Sequence, residues 1–220
     1  MIFVQSKNII FIFPHTFKFK SMSYTFYKRT IDLAVSVLGL LLILPLMITI
    51  ALILYTIYKG NPFFSQLRPG LYGQPFRIYK FKTMSEQHYP DQPEEERLTP
   101  FGNLLRVYSL DELPQLWNVI IGNMSLIGPR PLLCEYLPHY NAHHRRRHNV
   151  KPGITGWAQV HGRNRITWDD RLSMDVWYVD NVDFIVDLKI IFLTLVKVCT
   201  GDGVYAKGNF FVEKYNSMAK

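Results

Sequence analysis

Two adjacent carboxylates in the middle of the chain offer the clearest chemistry in the sequence. Asp111 and Glu112 lie in the stretch SLDELPQLWNVIIGNMSLIGPRP, which closes with Arg130 between two prolines. An ionised carboxylate can attack phosphorus and form an acyl phosphate, and a neighbouring carboxylate supplies the oxygen ligand that Mg²⁺ prefers. Because the prolines restrict the backbone on either side of Arg130, its guanidinium is suited to binding phosphate. This pattern favours phosphoryl chemistry.

The same acid pair has a purely structural interpretation. Ser109 and Glu112 match the S/T-x-x-E capping box, in which the serine caps a helix and the glutamate bonds back to it. Pro114 complicates this interpretation because a proline so close to the cap disturbs the bonding of the first turn. In both interpretations the carboxylates lie near a helix start, where the dipole favours their charged forms.

Composition limits the partners without choosing among them. The 220 residues are enough for one domain with a sizeable core, and 25 Lys and Arg against 17 acids give a formal charge of +8. Such a basic balance suits nucleic acid, an anionic membrane or a phosphorylated substrate. Cys134 and Cys199 show no metal-like spacing. Neither a G-x-G-x-x-G nor a P-loop motif occurs, so dinucleotide and P-loop functions lack support.

An uncharged segment from Leu33 to Tyr58 indicates membrane contact. As one helix it would reach roughly 39 Å, which exceeds a bilayer core of roughly 30 Å. Pro45 falls near its centre, and Lys or Arg residues flank both ends. A single spanning helix with a tolerated proline is one interpretation. A helix that bends at Pro45 and returns to the same face is the other.

Several further segments give local predictions. Residues 60–83 predict two short strands around Gly70–Gly73, and 151–164 predict a shaped loop around Trp157 rather than a regular element. HHRRRH, at 143–148, favours a solvated basic helix face over zinc or nucleic-acid binding. Residues 184–198 predict an interfacial helix with its charges facing water, the alternative being a soluble core helix. Residues 1–21 are interpreted as an upstream extension from a mis-called start codon, with Met22 as the more ordinary start.

Five blocks of the chain resemble, in family order, the small bacterial sugar transferases, which are monotopic polyprenyl-phosphate phosphoglycosyl transferases. The blocks, spread from about Tyr27 to Thr200, are KRTIDLAVSVLGLLLILPL, PFRIYKFKTM, SLDELPQLWNVIIGNMSLIGPRP, KPGITGWAQVHGRN and DVWYVDN. The resemblance implies an α+β, mainly helical protein with a re-entrant helix-break-helix membrane hairpin, interfacial amphipathic helices and a small cytoplasmic catalytic domain with short strands. The expected divisions are an N-terminal extension at 1–22, the hairpin at 23–59, the catalytic domain at 60–200 and a tail at 201–220.

The resemblance also implies an activity. A sugar-1-phosphate would pass from a UDP-sugar to polyprenyl phosphate, with release of UMP, at the cytoplasmic face of the bacterial inner membrane. This would start capsule, O-antigen, exopolysaccharide or glycoprotein glycan synthesis, and downstream glycosyltransferases would use the product; no nucleic acid is involved. Two alternatives stay open: a non-catalytic membrane-associated assembly protein, and a glycosyltransferase that releases UDP.

Carried over residue by residue, the resemblance makes Asp111 the nucleophile and Glu112 the Mg²⁺ ligand. It implies substrate binding by five further residues: Arg130, Arg106, Asp175, Lys80 and Arg77. Two departures stand out. Leu44 replaces the serine that usually precedes the membrane proline, which leaves the bend to Pro45 alone. Asn123 replaces the aspartate of the usual GDMS, so a charge near the expected metal is missing.

Overall fold

The computed structural model describes residues 22–89, 92–162 and 167–200. The extension at 1–21 and the tail at 201–220 lie outside the described residues, so these two predictions, like the division into domains, stay predictions. The described part is mainly helical with short strands, as expected. The helices are α1 (Met22–Tyr58), α2 (Glu94–Arg97), α3 (Pro100–Val107), α4 (Gln115–Ile120), α5 (Ala142–Arg145), α6 (Trp157–His161), α7 (Trp168–Asp180) and α8 (Phe184–Thr200). The strands are β1 (Phe63–Pro69), β2 (Pro75–Phe81), β3 (Ser125–Ile127) and β4 (Gly153–Thr155).

Helix α1 carries the uncharged segment. Among the described helices, only α1 is long and apolar enough to cross a membrane, judged by length and composition alone. Most of its apolar side chains between Leu33 and Ile48 are exposed. The helix is continuous across Pro45, so the expected re-entrant hairpin is not confirmed and stays a prediction.

Both ends of α1 nevertheless contact the same globular body. Near its start, the Lys28 ammonium lies 2.5 Å from the Asp187 carboxylate of α8, and Arg29 donates to the carbonyls of Val119 and Ile120 at 2.6 and 2.9 Å. Near its end, Ile50 and Leu54 are buried in a core cluster with side chains of β2 and α3. The exposed apolar stretch therefore lies between two anchored ends.

Strands β1 and β2 confirm the predicted hairpin. They pair antiparallel with Phe64 opposite Lys80 and Arg68 opposite Phe76, and the connecting turn has positive φ at Tyr72 and Gly73. Because residues directly opposite each other project to the same face, the even-numbered side chains of both strands share one face of the hairpin.

Helix α4 is fastened to β2 by one amide side chain. Asn118 is fully buried, donates to the carbonyl of Arg77 at 2.8 Å and accepts from the backbone N–H of Tyr79 at 3.1 Å. Its amide therefore occupies the place of a neighbouring strand and satisfies two buried backbone groups. This contact sets the distance between β2 and the turn that precedes α4.

The segment around Trp157 differs from its prediction. Instead of an irregular loop, it forms β4 and α6, with β4 pairing parallel to β3. Gly153 makes this possible, because a Cβ there would lie 2.0 Å from the backbone nitrogen of Gly128. The glycines that indicated a loop are needed here for close approach of two backbones.

The HHRRRH cluster was predicted to be a solvated face, and this is wrong. His144, Arg147 and His148 are buried, with Arg147 only 2% exposed. The segment forms α5 and a short 3₁₀ turn, and contacts α7. Charge composition alone could not reveal that half of these six side chains are buried.

Helix α8 differs in part from its prediction as an interfacial helix with its charges facing water. Asp187 is buried rather than facing water, and it accepts hydrogen bonds from Tyr24 and Tyr178 at 2.7 Å each. The exposed face is instead apolar: Phe184, Ile185, Leu188, Ile191, Phe192, Leu195 and Val196. These positions recur at helical spacing, so one continuous apolar stripe points away from the body, as an interfacial helix requires.

Substituting Gly153 by alanine tests the backbone contact between β3 and β4. We expect Gly153→Ala to lower the free energy of unfolding by about 3 kcal/mol or more, since the added methyl overlaps backbone atoms that cannot move aside. Thermal unfolding in detergent measures the effect. Gly39→Ala is the matched control, because nothing lies within 4 Å of its added Cβ and its stability should stay within about 1 kcal/mol of the wild type. Equal melting of both variants would contradict the contact.

Candidate active site

The acid pair lies on a 3₁₀ turn between α3 and α4. The turn spans Leu110–Glu112, and Ser109 before it adopts a left-handed backbone with φ of 56° and makes no side-chain cap bond. The capping-box interpretation is therefore wrong. The left-handed residue ends α3 and redirects the chain, so Asp111 and Glu112 lie beside Arg106 in the last turn of α3.

Glu112 is held by two cations. Its Oε1 lies 2.6 Å from Lys80 Nζ and 2.6 Å from a terminal nitrogen of Arg130. Oε2 receives only a longer contact of 3.4 Å from Arg130. Burial works to raise the pKa of Glu112, but Arg130 and Lys80 outweigh it and hold that pKa well below its usual range. Glu112 is therefore ionised at neutral pH.

Asp111 experiences the opposite environment. It is 8% exposed, and burial together with the adjacent Glu112 raises its pKa to about 6, against the pull of Lys80, Arg130 and Arg106. Two neighbouring carboxylates with pKa values moved apart are typical of a reactive site. At neutral pH the Asp111 carboxylate is mainly ionised but poorly solvated, which suits a nucleophile.

Both acids open into one cleft of about 1080 Å³. Its polar wall includes Lys80, Thr83, Arg106 and Arg130, and Arg106 donates to the Thr83 hydroxyl at 3.0 Å. Other parts of the cleft are lined by side chains of the last turn of α1 and of α8: Ile57, Tyr58, Thr194 and Val198. One cleft thus joins a cationic region around the acids to the two helices that expose apolar surface.

Six of the seven predicted site residues meet in this cleft: Asp111, Glu112, Lys80, Arg106, Arg130 and Asp175. Asp175 is fully buried and already paired with Arg147, whose terminal nitrogen lies 2.7 Å from its Oδ2. Arg77 is not brought into the cluster. It is exposed on the odd-numbered face of β2 and contacts Ser65 at 3.4 Å.

Three arginines of the cleft were missed from the sequence. Arg68, Arg97 and Arg171 all line it. Arg68 lies on the even-numbered face that also presents Lys80, so the alternation of β1 could have identified it. Arg171 precedes Asp175 by four residues on α7, which places both on the same helix face. Burial and the nearby Arg130 lower the pKa of Arg68.

The donor set fits a magnesium ion. Among the described residues, no group of three or more His, Cys, Asp or Glu side chains gathers to hold a metal. A Mg²⁺ ion that shares phosphate oxygens and water needs only one or two carboxylates, and Glu112 supplies one. Since Oε1 of Glu112 is engaged by two cations, Oε2 is the oxygen that fits a metal.

Comparison with known proteins gives consistent matches. Residues 23–201 match the family model described as bacterial sugar transferase. A Bacillus subtilis (strain 168) protein named uncharacterized sugar transferase EpsL is 47% identical over 192 residues, covering 86% of this chain and 95% of that protein. The UDP-glucose:undecaprenyl-phosphate glucose-1-phosphate transferase of Klebsiella pneumoniae is 39% identical, covering 78% of this chain and 40% of that protein.

A third relative has a different sugar in its name. The UDP-N-acetylgalactosamine-undecaprenyl-phosphate N-acetylgalactosaminephosphotransferase of Aeromonas hydrophila is 38% identical, covering 82% of this chain and 45% of that protein. The chain thus spans nearly the full length of the Bacillus relative and less than half of the other two.

Neutralising the two acids separately should change stability in opposite directions. In chelator at pH 8, we expect Asp111→Asn to raise the free energy of unfolding by about 1–3 kcal/mol, because the wild-type carboxylate is ionised above a folded pKa that is higher than its unfolded one. That gain should shrink as the pH falls below 6. Glu112→Gln should instead cost about 2–4 kcal/mol at pH 8, because it leaves Lys80 and Arg130 without their partner.

The Glu112→Gln loss also shrinks as the pH falls, but it does so at lower pH than the Asp111→Asn gain. The folded pKa of Glu112 is depressed, so the stability it contributes is present above its unfolded pKa and is lost as the pH falls through the folded value. Denaturant unfolding between about pH 2 and 8 measures both variants, with the exposed Glu135→Gln as control. Shifts of the same sign for Asp111→Asn and Glu112→Gln would contradict the assigned charge states.

Proposed function

Because the chain belongs to the bacterial sugar transferase family, we propose that it transfers a sugar-1-phosphate from a UDP-sugar to polyprenyl phosphate. The observation that carries this proposal is the pair of carboxylates with opposite environments in one cationic cleft. Asp111 is a buried carboxylate with a raised pKa, and Glu112 is fixed by Lys80 and Arg130.

The chemistry proceeds in two displacements. An oxygen of Asp111 attacks the sugar-bearing β-phosphorus, the bond from that phosphorus to the bridging oxygen breaks, and UMP leaves with the electron pair. An oxygen of polyprenyl phosphate then attacks the phosphorus of the phosphosugar-aspartate. The bond to Asp111 breaks, which frees the carboxylate and gives polyprenyl-diphosphate-sugar.

The cationic wall supplies electrostatic stabilisation. Lys80, Arg106 and Arg130 lie where negative charge accumulates on the phosphate oxygens during each displacement. A Mg²⁺ ion held by Glu112 would neutralise the diphosphate and make the phosphorus easier to attack. Charge compensation on this scale allows one anionic carboxylate to approach another anion.

The apolar parts of the cleft suit a lipid acceptor. Ile57 of α1 and Val198 of α8 line the same cleft as Asp111, and both helices expose apolar side chains. A polyprenyl chain in the bilayer would therefore bring its phosphate towards the acids from the membrane side. We place the protein at the cytoplasmic face of the bacterial inner membrane, where downstream glycosyltransferases would extend the product.

The packing of α1 supports a re-entrant path. A spanning helix places its ends on opposite sides of an apolar layer about 30 Å thick. Here Lys28 and Arg29 bind polar groups of the body at one end, and Tyr58 contacts Thr99 at the other. Since both ends contact one body, we propose that α1 enters and leaves on the same face and bends at Pro45 within the membrane.

Nucleotide release distinguishes the candidate reactions. With a UDP-sugar panel, polyprenyl phosphate and Mg²⁺, we expect wild type and Asp169→Asn to release UMP, and Asp111→Asn to lose at least about a thousandfold in rate because the nucleophile is gone. Intact-protein mass spectrometry without the lipid should show a phosphosugar adduct that Asp111→Asn lacks. Release of UDP would mean transfer of the sugar alone, and no release across the panel would favour an assembly protein.

Cysteine labelling tests the path of α1. In a background without the native cysteines, Tyr27→Cys and Asn61→Cys place thiols at exposed positions near either end. A membrane-impermeant maleimide should label both in inverted membrane vesicles and neither in intact cells. Labelling of one position in cells and the other in inverted vesicles would establish a spanning helix and overturn the re-entrant path.

A further inference from the structure

Arg147 connects two walls of the cleft without lining it. Its Nε and a terminal nitrogen contact Asp175 Oδ2 at 3.0 and 2.7 Å, and the same terminal nitrogen donates to the backbone carbonyl of Arg130 at 2.6 Å. Asp175 belongs to α7, one turn after the cleft residue Arg171. Arg147 therefore joins α7 to the segment that carries Arg130.

The burial of Arg147 requires these contacts. Removing a guanidinium from water costs several kcal/mol unless a charge partner and hydrogen-bond acceptors compensate. Burial works to lower the pKa of Arg147, but Asp175 outweighs it and keeps that pKa above its ordinary value. The guanidinium carbon of Arg147 also lies over the aromatic ring of Tyr140, 5.8 Å from the ring centroid. The side chain is thus charged and fixed.

The backbone around Arg130 has few other ways to move. Pro129 and Pro131 each fix one φ angle, and the carbonyl of Pro129 accepts from Gly153 N–H at 3.0 Å. The bond from Arg147 fixes the next carbonyl, that of Arg130 itself. With both carbonyls held, the direction of the Arg130 side chain towards Glu112 is set by its own rotamer alone.

We propose that Arg147 is a positioning residue, which holds the Arg130 guanidinium at the acid pair through the Arg130 carbonyl. It touches no substrate. The proposal rests on the proposed function only in taking Arg130 as a phosphate-binding residue. An arginine is needed at position 147 because one planar fork must serve a carboxylate and a carbonyl at once.

Arg147→Lys separates positioning from folding. The lysine keeps a charge for Asp175, so the fold should persist, but a single ammonium cannot reproduce the fork that also reaches the Arg130 carbonyl. For the full chain in detergent and chelator, we expect UDP affinity by calorimetry to fall about tenfold, measured well below a melting temperature that should drop by a few degrees. Arg146→Lys is the matched control, since Arg146 pairs with Asp180 at the surface. Wild-type affinity in Arg147→Lys would overturn the proposal.

A double-mutant cycle identifies the route of the effect. If Arg147 acts through Arg130, then Arg130→Met and Arg147→Lys combined should weaken UDP binding no more than Arg130→Met alone. A purely structural role would instead multiply the two losses, and that result would also overturn the proposal.

The two proposals fail separately. UDP binding is measured without turnover. The UDP-affinity cycle therefore tests positioning by Arg147 even if the wild-type protein releases no UMP. Absence of UMP from wild type alone counts against the proposed reaction. Additive losses in the affinity cycle count against positioning by Arg147.

Discussion

The Glu112 carboxylate is the point on which the arrangement of the site depends. Lys80 comes from β2, Glu112 from the turn after α3, and Arg130 from the segment between two prolines. A carboxylate this enclosed would be costly without both cations, and two such cations could not lie this close without the carboxylate. Each segment is fixed by other means as well, through Asn118, Ser109 and Arg147. The charge cluster therefore forms where three independently supported backbones meet.

The sequence predicted much of this site because adjacency and alternation are local properties. Asp111 and Glu112 are neighbours in the chain, and the β hairpin follows from glycines between two alternating runs. The alternation of side chains along the strands also separates the basic residues that line the cleft from those that do not. Lys80 and Arg68 lie on the even-numbered face of the hairpin, whereas Arg77 lies on the odd-numbered face and points away. Arg77 was assigned to substrate binding by the resemblance, and because it is exposed outside the cleft, that role stays a prediction.

What the sequence could not predict depends on contacts between distant segments. HHRRRH has the composition of a surface face, yet Arg147 is buried because Asp175, 28 residues later, provides its counter-charge. Asp187 looked like the polar side of an amphipathic helix and is buried because Lys28, Tyr24 and Tyr178 converge on it. The glycines near Trp157 are likewise required only because the backbones of β3 and β4 approach closely. In each case the decisive partner lies far away in the sequence, and no local pattern indicates it.

The separation between α1 and its polar partners has a consequence for how the protein is made. Lys28 contacts a carboxylate 159 residues further on, and Asp32 contacts a serine 93 residues further on. At about 5–20 residues per second, Asp187 leaves the ribosome roughly 8–30 s after Lys28. Until these partners emerge, the apolar stretch of α1 has the bilayer as its available partner in the proposed membrane placement, while Lys28 and Asp32 lack their partners. In that placement, anchoring precedes assembly of the cleft, and the body packs onto a helix already in the membrane.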